Sequence, residues 1–160
     1  MLIPAILKKE EIKKAFQSFY YTDDMLYETG GMCSWFPDIQ EQTNDGGDIQ
    51  YAIMDGDKLI GWFGYYIDFY NSCANRFGLF SFDRGNPVIG IDVYKEFKKL
   101  WNTYNLHRIE WRMIGGNPVE STYDKLCTKY GGNKCVLHDA IKDRRGVYHN
   151  DVIYEIVRKS

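Results

Sequence analysis

Two Asn-Pro pairs, Asn86–Pro87 and Asn117–Pro118, constrain most what this chain can fold into. Asn is a favoured helix N-cap, and Pro suits the first helical position, where its missing N–H is not needed. Each pair opens a stretch of helical period. Pro87–Tyr104 carries Val93, Phe97, Leu100, Trp101 and Tyr104 on one stripe. The stretch from Pro118 carries Val119, Tyr123, Leu126, Cys127 and Tyr130, and Gly131–Gly132 stop it. Between them His107–Ile114 alternates, with Ile109, Trp111 and Met113 opposite Arg108, Glu110 and Arg112, which is the period of a strand. A further strand, Arg76–Asp83, precedes the first of these helices. Strand–helix–strand–helix order predicts parallel pairing through a right-handed crossover.

Hairpins flank this unit. Gln50–Met54 and Lys58–Tyr70 enclose the turn Asp55–Gly56–Asp57, with Asn71–Asn75 as the next turn. Lys134–Ile141 and Tyr148–Arg158 enclose Asp143–Arg144–Arg145–Gly146. From Trp62 to Phe82 nine of 21 residues are aromatic, and they fall on both faces, so the sheet is expected to be covered on both sides. Upstream, Leu2–Leu7 reads as an opening strand and Lys9–Tyr21 as a helix with Ile12, Ala15, Phe16, Phe19 and Tyr20 inward. Asp23–Thr29 reads as a second short helix stopped by Gly30–Gly31, and Ser34–Asp48 carries no pattern. The predicted class is α/β (α+β): a mixed twisted sheet of about six or seven strands with helices on both faces. One domain spans 1–160, with 1–48 as a variable N-terminal part and 49–158 as the sheet and binding part.

A chain of 160 residues buries enough surface to hold a core without disulfide or metal. Its 20 basic and 22 acidic residues lack the basic excess that nucleic-acid binding favours. Cys33, Cys73, Cys127 and Cys135 form no CxxC, and His107, His138 and His149 fall in no zinc spacing, so no metal is expected. Leu2–Leu7 is short and is followed by Lys8–Lys9, unlike a signal peptide, and no apolar run approaches the roughly 18 residues of a membrane helix. The expectation is a cytoplasmic protein with free thiols and no membrane partner.

Several stretches, taken in order, resemble the GNAT superfamily of acyl-CoA-dependent N-acyltransferases. They are the strand ending near Asp83 with its Arg84–Gly85–Asn86–Pro87 loop and amphipathic helix, and the alternating strand His107–Ile114. Next come Asn117 with Ser121, Tyr123 and Lys125–Leu126, and the closing glycine pair. The last is a hairpin ending in Asn150–Asp151–Val152–Ile153–Tyr154–Glu155, which looks like the branch of ribosomal-protein N-terminal acetyltransferases. The resemblance covers about Gln50 to Val157.

The resemblance implies acetyl-CoA as co-substrate and an amine acceptor, either a small molecule or a protein N-terminus. It places pantetheine between Arg76–Asp83 and His107–Ile114, on backbone groups. It places the pyrophosphate on a helix N-terminus formed by Arg84, Gly85, Asn86, Val88, Ile89 and Gly90. That loop departs from the family's glycine spacing, with Pro87 and Ile89 at the glycine positions counted from Arg84. Asn117 is expected to contact CoA, to cap its helix, or both. Tyr123 is expected to protonate the departing thiolate, or to be a core tyrosine. Glu110 is a candidate general base beside Asp83, Asp68 and His138; its other reading is a partner for Arg108 or Arg112. Trp35 and Phe36 either rim an acceptor pocket or pack under the loop. The alternative function is a non-catalytic binding module on the same fold, or a nucleotide- or nucleic-acid-modifying protein using the aromatics and Arg144–Arg145. An edge strand such as Tyr148–Arg158 offers a route to a homodimer.

Overall fold

The computed structural model describes residues 1–22, 37–43, 45–143 and 145–159. The expected helix Asp23–Thr29 with its Gly30–Gly31 stop, Cys33, Trp35–Phe36 and Arg144 lie outside the described residues. The elements are β1 (Leu2–Pro4), α1 (Lys9–Thr22), β2 (Gly47–Asp55), β3 (Lys58–Asp68), β4 (Cys73–Ser81), α2 (Pro87–Lys98), β5 (Arg108–Ile114), α3 (Glu120–Lys129), β6 (Asn133–Lys142) and β7 (Tyr148–Val157). Among the described residues seven strands form one mixed sheet in the order β1-β2-β3-β4-β5-β7-β6. The expected class and layering hold.

The aromatic meander explains why both faces need cover. Trp62 and Phe80 point to one face, where Ala5, Ile12 and Phe16 close over them; the Phe16 ring lies 4.8 Å from Phe80 and 5.8 Å from Trp62. Ile60, Phe63, Tyr65 and Ile67 point to the other face, under Ile89 and Phe97 of α2 and Cys127 of α3. The Asn86 cap forms as the sequence requires, its Oδ1 accepting from Val88 N at 3.0 Å. The second expected cap needs correction: Asn117 Oδ1 accepts from Val119 N at 3.0 Å in a turn, and α3 begins only at Glu120, with Val119 at its N-cap.

Several expectations need correction. β1 ends at Pro4, and Ala5–Lys8 turns as a 3₁₀ helix that buries Ala5. α2 stops at Lys98, and Lys99–Thr103 continue as a π-helical turn. β4 begins at Cys73, inside the stretch read as a turn, because Cys73 and Ala74 pair both with β3 and with β5. Parallel pairing holds between β4 and β5 but not between β5 and β6: β7 lies between them, antiparallel to both. β7 is therefore interior and not the edge strand that Tyr148–Arg158 was expected to supply; β6 is the edge.

One buried carboxylate ties α2 to the meander. Glu96, 8% exposed, accepts from the Tyr65 hydroxyl at 2.7 Å and the Tyr51 hydroxyl at 3.1 Å, and pairs with Lys99 at 3.3 Å. Partners of this kind offset the cost of taking a charge out of water. Burial first, and then the Glu96 charge, push the Tyr65 phenol far above its ordinary range. A Glu96→Ala substitution removes the acceptor shared by the Tyr65 and Tyr51 hydroxyls and is expected to cost about 1–3 kcal/mol in urea unfolding; unchanged stability would show that the bonds do not hold the helix. Gly132 faces a tighter constraint, since a Cβ there would meet Cys127 Sγ at 2.8 Å and the Glu155 carbonyl closer still. A Gly132→Ala substitution is expected to lower the unfolding free energy by about 1–3 kcal/mol, read as a lower Tm.

Candidate active site

The parallel ladder of β4 and β5 joins only Cys73 to Arg108 and Ala74 to Ile109. Beyond those pairs the strands diverge. The cause on the β4 side is a bulge: Gly64 pairs with Gly78 but Tyr66 pairs with Asn75, so Arg76 and Phe77 stand opposite Tyr65 alone. Arg76 takes the left-handed conformation this needs, at φ 54°, and a bulge of this kind bends its strand and increases its twist. On the other side β5 stays in full register with β7 from Arg108 to Ile114. The result is a wedge between two firmly held strands, at the carboxyl ends where open α/β sheets bind ligands.

A groove of about 540 Å³ lies over this wedge, between α2 and α3. Phe77 and Leu79 of β4 and Ile109 and Trp111 of β5 form its floor. Gly90, Ile91 and Tyr94 stand on the α2 side, and Thr122, Tyr123, Lys125, Leu126 and Lys129 on the α3 side. Its walls are almost wholly apolar, and the lining includes no carboxylate.

The sequence-expected residues distribute unevenly around the groove. Tyr123 lines it, with its ring edge-on to Trp111 and Tyr154 at centroid distances of 6.0 and 5.9 Å. Burial pushes its phenol up to about 12, so it stays protonated throughout the neutral range. Gly90 lines the groove, and a side chain there would meet open space. Asn117 is buried at 9% exposure, and its side-chain oxygen is occupied by Val119 N in the turn before α3. Ile89 belongs to the core. Arg84 turns toward α1, with its guanidinium 5.9 Å from the Phe19 ring centroid. Gly85 makes its turn at φ 84°.

The N-terminus of α2 is closed by its own chain. Pro87 has no N–H, and the Val88 N–H is taken by Asn86 Oδ1. Asn86 Nδ2 donates to Asp55 at 3.2 Å and to Asp83 at 3.3 Å, which sets two carboxylates beside the helix start. Asp83 is paired with Lys58 at 2.9 Å. Of the other candidate bases, Asp68 caps the turn at Asn71, and His138 is exposed on β6.

Glu110 lies on the opposite face of the sheet from Trp111, as alternation requires. Its carboxylate accepts from Arg108 at 2.6 Å, and the same guanidinium reaches Glu155 at 3.0 Å. Tyr123 and Glu110 thus stand on opposite sides of the wedge. The bulge, Tyr94 and Lys129 escaped sequence reading, and Lys125 entered it only as one of the residues of the resemblance. Arg76 carries no compositional mark of a left-handed residue, and an exposed lysine on a helix looks like any solvated charge.

No protein-family model matches the sequence, and no curated protein matches it. Solved structures do. A spermidine/spermine N-acetyltransferase, SpeG from Vibrio cholerae, superposes with a TM-score of 0.57 at 18% identity, over 71% of this chain and 67% of that one. A single-residue variant of that enzyme matches over 92% of this chain and 74% of its own, with a TM-score of 0.55 at 15% identity. A further protein described as an acetyltransferase gives a TM-score of 0.54 at 16% identity over 69% of this chain, which spans 57% of that protein's length. The chain has the fold of the GNAT acetyltransferases, and at such identities the likeness is one of fold. Among the described residues no helix is long and apolar enough to cross a membrane.

The wedge makes a prediction of its own. Gly64 sits against Trp62, where a Cβ would meet the indole at 2.8 Å, and it pairs with Gly78 beside the bulge. A Gly64→Val substitution is expected to lower Tm and to disturb the bulge, read as changed amide chemical shifts at Arg76–Gly78; unshifted amides would show the bulge to be set elsewhere.

Proposed function

We propose that this chain is an N-acetyltransferase that moves an acetyl group from acetyl-CoA to an amine by direct attack, in the cytoplasm. The observation that carries the reading is the wedge: a parallel pair that opens after two residue pairs, on a bulge, under a groove of ligand size between two helices. A pantetheine arm carries amides that suit the opened strand edges, and its aliphatic parts suit the apolar walls.

The thioester supplies an activated acyl carbon; the rest falls to this chain. The opened backbone edge of β4 beside the bulge donates to the carbonyl oxygen as negative charge builds on it. Glu110, paired with Arg108 at 2.6 Å, takes the amine proton through water from the acceptor side of the wedge. Nitrogen bonds to the acyl carbon, the carbon–sulfur bond breaks, and Tyr123 on the groove side gives its proton to the leaving sulfur. A phenol raised to about 12 is always in the donating form at neutral pH. The acceptor is a small amine or a protein N-terminus. A second reading has one observation in its favour: the closed start of α2 is what a binding module that has given up the cofactor would show.

Calorimetric titration with acetyl-CoA, followed by thiol release with a panel of amines, separates the two. Micromolar binding and amine-dependent thiol release are expected; no heat and no thermal shift at millimolar ligand would leave the binding module. With an acceptor in hand, Tyr123→Phe should lower kcat by roughly 100-fold and leave KM for acetyl-CoA unchanged. Equal kcat in the variant would remove Tyr123 from the reaction.

A further inference from the structure

We infer, on the reading that the chain binds an acyl-CoA, that Lys125 and Lys129 on the rim of the α2–α3 groove hold the cofactor's phosphates, in place of the N-terminus of α2. The helix start is poorly made for an anion. Pro87 brings no N–H, Asn86 takes the Val88 N–H at 3.0 Å, and the Ile89 N–H turns back to the Asn86 carbonyl at 3.3 Å. Asp55 and Asp83 stand beside it, and Asp83 is paired with Lys58. A diphosphate there would meet carboxylates where it needs donors.

The groove rim offers the reverse. Its lining holds three cations and no acid. Arg112 is committed to Asp151 at 2.7 Å, but Lys125 and Lys129 enter no ion pair among the described residues. Both are exposed, and their spacing of one helical turn puts them on one face of α3. Lys129 donates to the Tyr94 hydroxyl at 2.8 Å across the groove mouth, and Lys98 lies 5.1 Å from the Tyr94 ring centroid. The hydrogen bond from Lys129, with that from Tyr130, draws the Tyr94 phenol below its ordinary range, a sign of positive potential at the mouth. A ligand whose apolar arm fills the groove brings its charged end out between Tyr94 and these two lysines.

The test compares wild type with the Lys125→Ala/Lys129→Ala double variant, each titrated with acetyl-CoA and with S-acetyl-pantetheine, which lacks the phosphates. The double variant is expected to bind acetyl-CoA at least about tenfold more weakly, to bind S-acetyl-pantetheine like wild type, and to lose much of the salt dependence of acetyl-CoA binding. Wild-type affinity of the double variant for acetyl-CoA overturns the lysine site and leaves the acyl-CoA reading standing. Equal weakening for both ligands also overturns it, since that is the mark of lost packing by the lysine stems. Binding of neither ligand by wild type removes both the site and the reading it rests on.

Discussion

The parallel ladder between β4 and β5 stops after two pairs, and the geometry of the candidate site depends on that break. Backbone N–H and C=O groups inside a fold need partners, so a sheet does not open in its middle without something to replace the lost ladder. Here each strand is secured on its far side, β4 by β3 and β5 by β7. The bulge at Arg76 and Phe77 bends β4 away from β5. α2 and α3 straddle the opening, and Glu96 fixes α2 to β2 and β3 through Tyr51 and Tyr65. The groove is therefore built from core contacts, and its walls are almost wholly apolar. At 15–18% identity, what the chain shares with acetyltransferases of solved structure is the fold.

Much of this architecture was legible because it rests on local chemistry. Asn86 reads as a cap and is the N-cap of α2; Asn117 reads as one too, but its side chain closes the turn before α3, whose N-cap is Val119. The alternation of Ile109, Trp111 and Met113 against Arg108, Glu110 and Arg112 put Glu110 on the face away from the groove, where it pairs with Arg108. Features set by tertiary pairing were not legible. Cys73–Ala74–Asn75 carries turn-forming and small residues, yet becomes strand because two neighbouring strands claim it. The insertion of β7 between β5 and β6 leaves no trace in the hydrophobic period, which tells that a segment is a strand and not which strand it adjoins. A ligand arm between Arg76–Asp83 and His107–Ile114 was expected through resemblance alone, since no residue type announces the wedge.

Charge divides the molecule in a way that side-chain identities near the loop did not foretell. Arg84 reads as the cation of a phosphate loop but turns to Phe19 on the other face of the sheet. The helix start it left behind is bounded by Asp55 and Asp83. Positive charge collects instead on the outer turns of α3 and around Tyr94. The groove depends on strand geometry, whereas the charges around it depend only on surface positions.

Amide hydrogen exchange, with and without saturating acetyl-CoA, tests the wedge most directly. The account predicts slowed exchange confined to Arg76–Ser81 of β4, Glu110–Ile114 of β5 and the facing turns of α2 and α3, as a ligand arm takes up the opened edges. Saturation with acetyl-CoA and unchanged exchange in both strands, or protection elsewhere in the sheet, would contradict it.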